Sequence, residues 1–309
     1  MLSGEDMQWT PGGTSNDVED DRADSGGGGG FGFGGGGGGF GGIHLGIGGT
    51  LLLLLFSYLF HTNLFGLFSG GGSPDPRAAH AVREPGATPA DNPGEQREVQ
   101  FVSFVLDDVQ KNWDTTFNAA TGRTYHHAKL VLYRDGIQSA CGMAQSATGP
   151  FYCPGDEKVY LDLAFFEELS RRFGAPGEFA QAYVIAHEIG HHVQKLLGIE
   201  AKVRRLQEQD ASQQNPLSVK LELQADCFAG VWGNSTEQRK IIDQADVAAG
   251  LRAAAAVGDD RLQRMSSGHV SPESFTHGTS AQRAHWFQQG LDTGKISACN
   301  TFGQAGNTR

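Results

Sequence analysis

The stretch Ala186-His187-Glu188-Ile189-Gly190-His191-His192 decides how this chain is read. Set on a helix, His187 and His191 stand four residues apart and project from one face, with Glu188 beside them, which is the pattern H-E-x-x-H. Two imidazoles so placed can grip one Zn2+. Zinc with three protein ligands lowers the pKa of a water in its fourth position to about 7, and a neighbouring carboxylate takes the proton as that water attacks a polarised carbonyl. The chemistry implied is hydrolysis of a peptide or amide bond, with Glu188 as general base and then proton donor to the leaving amine. His192 lies about 100° around the helix from His191 and is read as a non-ligand.

A chance match to so short a pattern sits on a solvated helix among lysines and arginines. Here the preceding residues, Phe179-Ala180-Gln181-Ala182-Tyr183-Val184-Ile185-Ala186, are uncharged. The helix therefore reads as buried, and buried histidines and glutamates need partners. A second helix supplies candidates. Asn215-Pro216 is a helix start, and the segment it opens, 217–232, contains Glu222-Leu223-Gln224-Ala225-Asp226. Glu222 and Asp226 are one turn apart and share a face. Glu222 is a suitable third zinc ligand, and Asp226 a suitable acceptor for the second N–H of a metal-bound histidine. The alternative is a pair of solvated surface acids, although Lys220 is the only basic residue of that otherwise apolar or small segment.

Outward from this centre, the 309 residues divide unevenly, because most of the 45 glycines lie near the N-terminus. Residues 1–42 are acidic and then Gly/Phe-rich, a composition that reads as disordered, with Phe31, Phe33 and Phe40 as a means of weak self-association. Residues 43–68 contain Leu51-Leu52-Leu53-Leu54-Leu55-Phe56 and carry no Asp, Glu, Lys or Arg. Roughly 20 apolar residues span a bilayer, so this run is expected to be a single transmembrane anchor. A cleaved signal peptide fits less well, since the run begins beyond residue 40 behind an acidic segment. Residues 69–94 read as a linker, and 95–309 as the catalytic domain. The net charge of −11 argues against a nucleic-acid partner.

Within the domain, Val102, Leu106, Val109, Trp113 and Phe117 recur at helical spacing. Residues 129–133 and 137–140 look like a hairpin, and 158–161 like a further strand. Strands just ahead of a zinc helix can form the sheet edge on which a peptide substrate adds itself as an extra strand. Four cysteines remain. Cys141 and Cys153 flank a short loop, and Cys227 and Cys299 can tie the second metal helix to the C-terminus; the alternative is four buried thiols. Two disulfides mean an oxidising compartment. The few basic residues, Arg22 before the apolar run and Arg77 and Arg83 after it, lean weakly the other way. The expectation is a domain on the outer side of a bacterial cytoplasmic membrane.

The runs Tyr183-Val184-Ile185-Ala186-His187-Glu188-Ile189-Gly190-His191-His192-Val193-Gln194 and Glu222-Leu223-Gln224-Ala225-Asp226-Cys227-Phe228-Ala229-Gly230, with Gly149-Pro150-Phe151-Tyr152-Cys153-Pro154, resemble the bacterial family of "putative neutral zinc metallopeptidases". The acidic, Gly/Phe-rich N-terminus and the hydrophobic run share in that resemblance. It implies an α+β, zincin-like domain, mostly helical with a small sheet, that uses Zn2+ to cut a peptide or protein substrate. The chain is similar, more distantly, to membrane-associated zinc peptidases with H-E-x-x-H and a later E-x-x-x-D. That similarity implies Glu222 as ligand and Asp226 as outer support. Those peptidases carry Thr-His-Pro and then an arginine near the substrate; here Thr276-His277-Gly278 precedes Arg283, with Gly278 in place of proline. The similarity implies that His277 steadies the oxyanion, whereas the plainer reading has His277 merely preceding a helix capped by Thr279 and Gln282. The rival from another class is a membrane-anchored zinc module that binds or assembles without cutting. Glu188 argues against it, because structural zinc needs no base and is closed by four ligands.

Overall fold

Val102, Val105, Leu106, Val109, Trp113 and Phe117 are all fully buried, so the three- and four-residue spacing does build a long amphipathic helix, Pro93–Thr121 (α1). It is the first helix of a computed structural model that describes residues 7–23, 93–146 and 149–303. The fold is α+β and mostly helical. Strands β1 (Val18–Asp20), β2 (Lys129–Tyr133), β5 (Phe151–Cys153) and β6 (Lys158–Asp162) form one sheet in the order β1-β2-β6-β5. The first three in that order run parallel, and β5 closes one edge antiparallel to β6.

The expected hairpin does not form. The strand after β2, β3 (Gly136–Ser139), pairs with β4 (Gly142–Gln145) in a separate arm. Asp135, at φ 62°, turns the chain out of the sheet. Its N–H donates to the Asp162 carboxylate at 3.2 Å, and the Ser146 hydroxyl binds the same carboxylate, which closes the base of the arm. The place beside β2 is left to β6, whose Val159 and Leu161 align with Leu130 and Leu132 in the core. A disulfide between Cys141 and Cys153 fastens the tip of the arm to edge strand β5.

Residues 7–23 also depart from expectation: they are part of the fold, not a disordered lead-in. Met7 is buried, Trp9 packs edge-on against Phe101 and donates from Nε1 to Glu178 at 2.9 Å, and β1 extends the sheet. Composition counts the acids without their partners. Asp17 accepts from Gln110 at 2.9 Å and from Lys129 at 2.8 Å, while buried Arg22 donates to Asp20 and Glu95. The domain therefore includes residues on both sides of the apolar run 43–68. That run, the Gly/Phe tract and the linker to residue 92 lie outside the described residues. Among the described residues no helix is long and apolar enough to cross a membrane. One crossing between residues 23 and 93 would separate β1 from β2, so their pairing is at odds with a single-pass anchor.

Helices α2 (Ala164–Arg171), α3 (Glu178–Leu197), α4 (Ile199–Gln209), α5 (Gln214–Gln238), α6 (Gln244–Ala256), α7 (Asp259–Ser267) and α8 (Ser280–Thr293) complete the body. Two glycine contacts set how closely they cross. A Cβ on Gly190 of α3 would stand 2.9 Å from the Ala225 carbonyl oxygen of α5. A Cβ on Gly230 of α5 would stand 2.1 Å from the Phe287 carbonyl oxygen of α8. Backbone can approach backbone there only because no side chain intervenes. A second disulfide, Cys227 to Cys299, ties α5 to the C-terminal segment.

Candidate metal centre

Helix α3 carries Phe179, Ala182, Tyr183, Ala186, Ile189 and Val193 into the core. His187, Glu188 and His191 are left to line one wall of a cleft of about 490 Å3. The close α3–α5 crossing at Gly190 brings Glu222 across from them. Its carboxylate oxygens lie 3.2 Å from His187 Nε2 and 3.5 Å from His191 Nε2. One ligand atom from each of the three residues falls within 4.8 Å of the others.

The outer contacts leave the right atoms free. His187 Nδ1 faces Asp226 Oδ1 at 2.9 Å and His191 Nδ1 faces Gln194 Oε1 at 2.9 Å. With each Nδ1–H committed to an oxygen acceptor, the two Nε2 atoms are the ring nitrogens turned toward Glu222, and each can ligate an ion once free of a proton. Two imidazole nitrogens and one carboxylate match a catalytic zinc site with a position left open, so the residues present fit the ion. Gln194 escaped the sequence reading, although its position three residues after His191 places it on the same helix face. It is itself held by the Leu221 carbonyl at 2.8 Å and by Gln224 at 3.1 Å.

Asp226 is fully buried and heavily bonded. Arg283 reaches it with Nε at 2.8 Å and Nη2 at 2.9 Å, and the Tyr183 hydroxyl also donates to it. Burial pushes the Asp226 carboxyl up, but Arg283 and then His187 outweigh it and hold the pKa below the ordinary value. Burial likewise acts to lower His187, yet Asp226 and Glu222 raise it to about 9. Arg283, flagged in sequence as a substrate neighbour, is 4 % exposed and spends its guanidinium on Asp226 and, at 3.2 Å, on Tyr183.

Glu188 differs in kind. It sits in the cleft wall, where burial and, secondarily, the Glu222 carboxylate push it up to about 7, against the pull of His187 and Arg283. A carboxyl poised there can both take and give a proton near neutrality. His277 lines the same cleft. Its Nδ1 faces Asp259 Oδ1 at 3.1 Å, and the backbone N–H groups of Thr276, His277 and Gly278 donate to the other oxygen of Asp259. Burial works to lower the pKa of His277, but Asp259 and Glu222 raise it. Thr279 and Gln282 form the capping box of α8, so the plainer reading of this segment holds at the same time. His192 points away from the other two histidines, toward Tyr152 and the His126 carbonyl. Met143 of the β3–β4 arm and Met265 of α7, both well exposed, stand at the cleft, and Phe165, Phe173, Val184 and Leu262 line it.

Residues 7–302 match the family model described as "Putative neutral zinc metallopeptidase". The chain is 46 % identical over 303 residues, 97 % of its own length and 100 % of the relative's, to the uncharacterized protein YpfJ of Escherichia coli K12. It is 42 % identical over 192 residues, 59 % of this chain and 64 % of the relative, to the uncharacterized protein Rv2575 of Mycobacterium tuberculosis H37Rv, and equally to Mb2605 of Mycobacterium bovis. No solved structure matches.

Proposed function

Because the chain belongs to the family of "putative neutral zinc metallopeptidases", we propose that it is a peptidase that binds zinc through His187, His191 and Glu222 and cuts peptide bonds in the cleft beside them. The observation that carries the reading is Glu188: a carboxyl near pKa 7, one residue from a ligand and facing the cleft, which a closed structural site does not need. Zinc, when bound, supplies the Lewis acidity that polarises the scissile carbonyl and makes water a nucleophile near neutral pH. Glu188 accepts the proton of the attacking water and returns it to the departing amine nitrogen, so the carboxyl ends as it began. His277, held by Asp259, donates to the carbonyl oxygen as that atom gains negative charge. Arg283 and Asp226 hold His187 with its Nδ1 protonated, and Gln194 does the same for His191.

The substrate enters as an extended chain along β5, which has a strand neighbour on one side only among the described residues. Its apolar side chains meet the aromatic and aliphatic wall of the cleft. The two disulfides favour an oxidising, extracytoplasmic setting, with the apolar run 43–68 holding the enzyme to the bilayer. The test measures bound zinc and cleavage of a mixed peptide library by the full chain, beside Glu188→Gln and Glu222→Ala. Glu188→Gln should keep its zinc and lose roughly 10²–10⁴ of the rate. Glu222→Ala should lose the metal. A parent that holds zinc and cuts nothing favours the non-cutting zinc module, and folded protein that binds no zinc defeats both readings.

A further inference from the structure

Thiols and thioethers are the side chains a hydroperoxide oxidises most readily, and the fold distributes its sulfur unevenly. All four cysteines are joined in disulfides, so among the described residues no free thiol remains. The chain has four methionines. Met1 lies outside the described residues and Met7 is 3 % exposed, whereas Met143 is 62 % and Met265 49 % exposed. Both exposed methionines line the cleft that holds the candidate metal centre. Among the described residues the large hydrophobic side chains left exposed are these two and Leu206, so two of the three stand at one cleft.

Local structure explains their placement. Side chains on β4 alternate between faces, and Ala144 takes the buried one, which leaves Met143 outward on the arm. On α7, Leu262, Met265 and Ser266 recur at three- and four-residue spacing and all line the cleft, so one face of that helix is turned to it. Asp259, which binds His277, is the first residue of the same helix. The wall around them is apolar, with Phe165, Phe173, Val184 and Leu262 lining the same cleft. A thioether matches such a wall, because it is soft and only weakly accepts hydrogen bonds. A sulfoxide does not match it: its polar oxygen loses its water when an apolar side chain covers it.

We propose that Met143 and Met265 are a modification site for hydroperoxides, at which oxidation to methionine sulfoxide weakens the hold of the cleft on apolar peptide. In each step the sulfur lone pair attacks the terminal peroxide oxygen and the O–O bond breaks. The hydroxyl proton of the attacked oxygen passes to the departing oxygen, which leaves as water from hydrogen peroxide or as an alcohol from an organic peroxide. The thioether is oxidised by two electrons and the peroxide reduced by two. His187, His191, Glu222 and Glu188 contain no sulfur, so the reaction alters substrate binding and spares the proposed centre. The effect on cleavage rests on the peptidase reading; the preference of the oxidant for these two sulfurs does not.

The test treats the full, zinc-loaded chain with dilute hydrogen peroxide and locates the added oxygen by peptide mass. Met143 and Met265 should each gain one oxygen well before Met7, and oxidation of Met7 at the same rate would overturn the proposal. On an apolar peptide that the chain cuts, KM should rise roughly tenfold with kcat within about twofold and zinc content unchanged. Met143→Leu combined with Met265→Leu removes both sulfurs and keeps apolar side chains of similar volume. In that double variant KM should be the same before and after treatment. An unchanged KM in the oxidised parent, a loss confined to kcat, a loss of zinc, or an equal response in the double variant would each overturn the proposal. A parent that cuts no peptide before treatment would defeat the peptidase reading instead, and the site would then be read from binding of a fluorescently labelled apolar peptide. Its affinity should drop roughly tenfold on oxidation of the parent and stay constant in the double variant; no binding, or an affinity that oxidation leaves unchanged, would overturn the proposal.

Discussion

Of the three candidate ligand side chains, His187 alone holds an acidic proton where an ion would bind. Burial works against its charged form, but Asp226 and Glu222 overcome this and raise it to about 9. His191 is lowered, by burial first, and Glu222 is held well below the ordinary value by His191 and His187 against its burial. At pH 8, therefore, His191 is neutral, Glu222 is ionised, and a zinc ion entering the proposed site would have to expel a proton from His187. Glu188, near 7, is by then mostly ionised. Zinc uptake at pH 8 should release nearly two protons per ion, one from His187 and most of another from a water whose pKa the ion lowers to about 7. Calorimetry in buffers of different ionisation enthalpy measures this directly, and release of no more than about one proton would mean that Asp226 does not charge His187. The residue identities at the centre were legible from spacing alone, since His187, Glu188 and His191 declare themselves within five positions. Gln194 and Tyr183 were not, because neither residue type advertises a role until its partner from another helix is in place.

Between elements, the closeness of α3 and α5 decides whether Glu222 reaches the histidines. Gly190 stands where the motif tolerates any residue, yet a Cβ there would meet the Ala225 carbonyl oxygen at 2.9 Å and Cα at 3.1 Å. Those are backbone atoms and cannot swing aside. Gly190→Ala favours the helix by its own propensity but must part the two helices and draw Glu222 away from His187 and His191. The expected result is a folded protein whose zinc affinity falls roughly 10–100-fold, the scale typical of disturbed support around a metal ligand. Competition against a chromophoric chelator would show it, and an unchanged affinity would mean that the crossing is not what places Glu222. The hairpin misread of 129–140 has a related cause. Two adjacent apolar stretches with a turn between them satisfy a local pattern, and only the left-handed Asp135 and the claim of β6 on the edge of β2 send the chain elsewhere.

For the molecule as a whole, residues 7–23 are the unforeseen component. A chain starting at Pro93 loses buried Met7, half-buried Trp9, strand β1 and the ties of Asp17 and Arg22. Removing the two apolar side chains alone costs at least about 3 kcal/mol, and the melting temperature should fall by about 6–12 °C. Equal melting of the shortened and full chains would show that the segment contributes nothing. The β1–β2 pairing also constrains any membrane attachment through the apolar run, because both flanks must stay on one side. Single cysteines introduced at exposed Gly12 and Lys202 should both react, or both fail to react, with an impermeant maleimide added to sealed vesicles. Labelling of one without the other would restore the single crossing and remove β1 from the sheet of the membrane-bound form.

What this sequence determined by itself is which residues make up the candidate centre and the class of the fold. Ligand spacing on a helix, the paired carboxylates one turn apart and the apolar periodicity of α1 are local quantities that neighbouring residues carry in full. What only the tertiary structure decided is everything that depends on a distant partner. That includes the strand that pairs beside β2, the acids of residues 7–23 finding Gln110, Lys129 and Arg22, the four cysteines being two disulfides and not buried thiols, and the bond between His192 and Tyr152. Each is settled by which surfaces meet when the helices close on the sheet, and a linear pattern holds no record of those distances.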